Sequence, residues 1–148
     1  MPQIQQYIVI LEELTGTRLV PIWIGVNEGN AIALHMEKHK LPRPMTHDLI
    51  ADIFNITGIK IDKVVINDLK DNTYYATIHM KSNAKIHLID ARPSDSMALA
   101  VRTGSPIYID EKVLDKCPII RKPITDTEVK DFKTKLKSLK PEDFFKKS

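Results

Sequence analysis

The stretch Ile89-Asp90-Ala91-Arg92-Pro93-Ser94-Asp95-Ser96-Met97-Ala98-Leu99-Ala100-Val101-Arg102 decides how this chain is read. Residues 85–91, with Ile86, Leu88 and Ala91 among their apolar positions, read as a strand. Pro93, Ser94 and Asp95 then favour a helix start. Proline has no N–H to lose in a first turn, and Ser and Asp oxygens accept the free N–H groups found there. Residues 97–101 continue as a mostly buried helix, closed by Gly104 with Pro106 beyond it. Asp90 and Arg92 therefore flank a strand-to-helix elbow, the kind of place that holds an anion or phosphate.

Before this stretch, residues 3–14 and 17–24 read as two strands of a hairpin broken at Thr15-Gly16. Pro21 lacks a ladder donor and predicts an edge position for the second of them. Residues 28–39 read as a helix capped by Asn27, and Thr46 caps another that carries Leu49, Ile50, Ile53 and Phe54 up to Gly58. Residues 60–69, 73–81 and 85–91 form three strands joined by turn-like Lys70-Asp71-Asn72 and Ser82-Asn83. After the central helix come a short strand at 107–109 and a helical turn at 111–116. Thr125 and Glu128 then make a capping box for a last helix with the stripe Val129, Phe132, Leu136 and Leu139.

A shift of 65 positions brings Ile24 onto Ile89, Asn30 onto Asp95, Leu34 onto Leu99 and Leu49 onto Leu114. The pattern predicts two related strand-elbow-helix halves in an α+β fold. A largely antiparallel sheet would be covered by helices, with a C-terminal helix added. Chance likeness between two strand-helix junctions is the alternative.

Three blocks carry a family resemblance: Pro21 to Leu34 (PIWIGVNEGNAIAL), Arg43 to Leu49 (RPMTHDL), and the run from Ile89 to Ile109. In order and spacing they resemble the bifunctional nuclease family, from about Val20 to Cys117. The resemblance implies a single small bacterial-like domain, to which nuclease activity on DNA and RNA is attributed. Residues 1–120 would form that domain, and residues 121–148 a helical extension packed on or beside it.

Length and composition agree with a globular protein: 148 residues, 43% hydrophobic and 28% charged. The single cysteine excludes an internal disulfide and a cysteine-built zinc site. Neither a basic-then-apolar leader nor a membrane-length apolar run is visible, so the expectation is a cytoplasmic protein without membrane contact. The net charge of +3 is uneven. Residues 129–148 hold seven lysines against three acids, whereas residues 1–128 hold 15 basic and 16 acidic groups. Only the tail has the composition of a nucleic-acid binder.

Phosphodiester hydrolysis needs an activated water and cationic groups on the phosphate, often with carboxylates that hold a divalent metal. The blocks supply Glu28, His47, Asp48, Asp90 and Asp95 as candidate catalytic residues, and Arg43 and Arg92 as candidate phosphate ligands. Histidine is the residue type suited to serve as a base near neutral pH. Each candidate also has a purely structural explanation. Acids in a first helical turn complement the helix dipole, and an arginine beside them pairs with them. His35 and His39 stand four apart, but no third metal ligand accompanies them. Trp23, Tyr74 and Tyr75 suit base stacking, or equally a core.

From the resemblance, the expectation is a nuclease for DNA and RNA that uses a divalent metal ion such as Mg or Mn. A homo-oligomer, most simply a dimer, follows from edge strands and an amphipathic last helix. The alternative is a non-catalytic module that binds an anion or a partner at the same elbows.

Overall fold

A computed structural model describes residues 6–123, 125–138 and 140. In chain order the elements are β1 (Gln6–Glu12), β2 (Arg18–Gly25), α1 (Val26–Met36), α2 (Thr46–Thr57), β3 (Lys60–Lys70), β4 (Thr73–Ser82) and β5 (Lys85–Ala91). They continue with α3 (Pro93–Thr103), β6 (Ile107–Ile109), α4 (Glu111–Leu114), β7 (Ile120–Arg121) and α5 (Asp126–Ser138). The fold is α+β. Its strands form two sheets, β1-β2-β7 and β5-β4-β3-β6, antiparallel throughout except where β6 runs parallel to β3. No described helix is long and apolar enough to cross a membrane.

The central helix joins the two sheets. On α3, Met97 and Ala98 sink into a core with Val20, Ile22 and Ile24 of β2 and Ile66 of β3. Two residues further, and therefore on the opposite face of the helix, Leu99 and Ala100 enter a second core with Ile61, Val64, Ile78 and Met80. Small residues at 96, 98 and 100 let neighbouring elements approach α3 closely. Ser96, with no solvent exposure, satisfies its hydroxyl by donating to the Arg92 carbonyl at 3.0 Å.

Buried positions on β3 fall at 61, 64, 66 and 69, which breaks simple alternation. Register shifts between Ile61 and Lys63 and between Ile66 and Asp68 supply the reason. Each bulge inserts one residue and returns the apolar side chain to the core face. The β3–β4 and β4–β5 turns place Asp71 and Asn72, then Asn83 and Ala84, at positive φ. Tight hairpins need that backbone, which matches the right-handed strand twist.

Several local expectations shift. Residues 3–5 lie outside the described residues, as do Leu139 and residues 141–148. Helix α1 starts earlier than expected, capped by Gly25 rather than Asn27, and ends at Met36. Met45, not Thr46, caps α2, and Asp48 accepts its N–H at 2.9 Å. Pro21 lies on a strand that is central by order, but β7 pairs only with Arg18 and Leu19. Past Leu19 that flank of β2 carries no described ladder, so the missing proline donor costs little there. Both halves contain a strand that feeds a helix, yet the helix caps Gly25 and Arg92 stand 67 apart, against the 65 of the sequence shift.

Candidate functional site

Three helix starts supply the site. Glu28 lies in the first turn of α1, His47 in that of α2, and Asp95 in that of α3, with Arg92 as the α3 cap. Arg92 donates to both Asp95 oxygens, from Nε at 2.9 Å and from Nη2 at 3.2 Å. Its Nη1 donates to Glu28 Oε1 at 3.3 Å, which ties two elbows 64 residues apart. His47 Nε2 reaches Asp95 Oδ1 at 3.0 Å. Each of the three sequence blocks thus contributes to one connected network.

Its electrostatics follow from these contacts. Burial pushes the Asp95 carboxyl up, but hydrogen bonds from Arg92 and His47 outweigh it and hold the group below the ordinary aspartate value. An ionised carboxylate only accepts, so His47 Nε2 carries the donated hydrogen. In the neutral imidazole Nδ1 then keeps its lone pair. Among the described residues Nδ1 has no hydrogen-bond partner. The hydrogen bond to Asp95 likewise raises Arg92, so its guanidinium is permanently charged. Of its five N–H donors, two have no partner among the described residues, and the side chain is 64% exposed.

A second pair lies at the other end of α3. Arg102 Nε donates to Asp48 Oδ1 at 2.7 Å, and its Nη1 donates to the Ala98 carbonyl at 2.7 Å. The Met45 N–H and then Arg102 hold Asp48 below its ordinary value. This pair borders a cleft of about 260 Å3, lined also by His35, His39, Asp52 and the loop 41–44, Arg43 included. His35 and His39 both face the cleft, but not as helical neighbours. The helix ends between them, and Lys38 adopts a positive φ. Among the described residues no three His, Cys, Asp or Glu side chains gather to hold a metal ion.

Of the seven candidates, Glu28, His47, Arg92 and Asp95 meet, while Asp48 and Arg43 border the cleft. Asp90 is exposed on β5, with no ion pair or hydrogen bond from its side chain among the described residues. Strand alternation turns it away from the face on which Ala91 packs into the core. Tyr74 packs against the core, and its buried hydroxyl has no hydrogen-bond partner among the described residues. Tyr75 is partly exposed beneath Lys70, whose ammonium lies 5.6 Å from the ring centre. Sequence reading missed Arg102, which its place in the last turn of a buried helix could have flagged: a charge there needs a partner.

Proteins from two strains of Mycobacterium tuberculosis, both named only as uncharacterized proteins, are 40% identical over 148 residues, covering 94% of this chain and 88% of theirs. The model of the bifunctional nuclease domain matches residues 9–122, which include every residue of the network and of the cleft. The chain belongs to the bifunctional nuclease domain family.

Proposed function

We propose that this protein is a cytoplasmic nuclease that hydrolyses phosphodiester bonds in DNA and RNA. The carrying observation is the convergence of Glu28, His47, Arg92 and Asp95 from three helix starts. In this reading Arg92 binds the scissile phosphate through its two remaining N–H groups, a fork that a lysine cannot reproduce. His47 Nδ1 accepts a proton from the attacking water, Asp95 holds the imidazole in the required tautomer, and Glu28 fixes the guanidinium. A P–O bond forms to the water oxygen as the bond to the departing sugar oxygen breaks, and that oxygen takes a proton from solvent. Asp48 supports the neighbouring cleft, Arg43 offers a further phosphate contact, and exposed Asp90 is the carboxylate still free to meet a substrate-borne cation.

Dependence on Mg or Mn belongs to the proposal as an assay expectation. The described residues do not gather a three-ligand set, and the proton and phosphate roles above fall to side chains of the chain itself. The edge strand β5, with Ile86, Leu88 and Ile89 exposed, supports a homodimer. A non-catalytic anion- or partner-binding module is the second reading, favoured by the two acids that already neutralise Arg92.

The test is cleavage of labelled single-stranded DNA and RNA by pure protein, with titrated Mg or Mn and then with chelator. Activity that His47→Ala reduces by about 100-fold supports the nuclease, which is the scale of one general base. Pure, folded protein without activity at any metal concentration would refute it.

A further inference from the structure

Arg102 is a largely buried guanidinium that lines a cleft and keeps unpaired donors there. Its side chain is only 5% exposed, yet just two of its five N–H donors are used, by Asp48 and by the Ala98 carbonyl. The other three have no partner among the described residues, and the side chain lines the cleft. These donors are not sealed in the interior: they open onto the cleft, where water or an anionic ligand can accept them. Asp48 already accepts from Arg102 Nε and from the Met45 N–H.

We propose that the cleft is a phosphate site for a nucleotide about three positions from the scissile one. Arg102 supplies donors that open onto the cleft to the phosphate, and Arg43, exposed on the rim without a partner among the described residues, supplies a second cation. Leu34, Leu41 and Pro42 form an apolar wall for the attached sugar or base. Asp52 opposes the site: one helical turn beyond Asp48, it lines the same cleft and places an acid against the bound anion. Asp95 and Arg102 stand seven residues apart on α3, about 10 Å along its axis. That equals roughly three axial steps of one strand in a duplex, so a single strand can reach both sites. The inference rests on the nucleic-acid reading for the identity of what carries the phosphate.

Adenosine monophosphate and inorganic phosphate, titrated in chelator by calorimetry and by amide NMR, test the site without turnover. Saturable binding is expected, with shifts confined to the first turn of α2, the loop 41–44 and the end of α3. Arg43→Ala should weaken it about tenfold, and Asp52→Asn should tighten it about twofold. Both are surface changes that leave the Arg102–Asp48 pair in place. Affinity indifferent to both substitutions, or shifts elsewhere on the surface, would overturn the proposal. Binding in the cleft by a protein that cleaves nothing would overturn only the nuclease reading.

Discussion

Arg92 separates the chemistry of the network from its contribution to stability. Replacing it with alanine removes a two-pronged bond to Asp95 and a single bond to Glu28, from a side chain 64% exposed. Exposed ion pairs contribute about 0–1 kcal/mol, and the two-pronged geometry favours the upper end. For a domain of this size about 1 kcal/mol corresponds to about 2–4 °C in Tm. The phosphate role predicts a much larger effect on rate, about 100- to 1000-fold in kcat, as for loss of one preorganised donor to a developing charge. Arg92→Lys keeps the charge but not the fork, and should lose activity by tenfold or more with little change in melting. Burial of Asp95 would then act unopposed by Arg92, so in Arg92→Ala its carboxyl should titrate at a higher pH than in the parent. Thermal melts, a cleavage assay and NMR titration of the Asp95 carboxyl on the same variants read all three effects. A melt lowered by more than about 5 °C with activity per folded molecule preserved would refute the phosphate contact and leave Arg92 as a tie between elbows.

The remaining predictions concern stability. Asp48 and Asp95 both have folded pKa values below their unfolded ones, so their contribution is fully present above the unfolded value and is lost as pH falls through the folded values. Urea midpoints should therefore drop below about pH 4, and Asp48→Asn should flatten that decline; an unchanged slope would contradict the assignment. At Gly29 an added Cβ would sit 2.5 Å from the Tyr7 ring, so Gly29→Ala should destabilise the fold although alanine suits a helix better by about 1 kcal/mol. A raised Tm would show that Tyr7 moves aside freely. Thr125 and Glu128 exchange reciprocal hydrogen bonds at 3.2 Å, so Thr125→Ala should weaken α5 by about 1 kcal/mol, read as lost helical circular dichroism.

Local chemistry was legible from residue order. Gly58 and Gly104 close their helices at positive φ because a side chain there would clash with the following carbonyl. The Thr125–Glu128 box, the strand at 85–91 and the buried run after Pro93 depend on neighbours a few positions away. Less local features escaped. The helix after β2 ends before His39, because Glu37, Lys38 and His39 turn their N–H groups back on the last turn. Asn27 and Thr46 are good caps by residue type, but the chain enters each helix one or two residues earlier, where the preceding backbone is extended.

The sequence by itself determined most of the elements, the family blocks and the pool of charged residues, since these follow from side-chain type, hydrophobic period and short-range hydrogen bonds. Only the tertiary structure decided which of those charges meet. Glu28, His47 and Arg92 lie far apart in the chain, and their contact exists because α3 is buried between two sheets and α1 and α2 pack against it. The same packing buries Arg102 beside Asp48 and turns Asp90 outward. Pairing across such separations is fixed by how apolar faces are removed from water, and no short window of sequence carries that information.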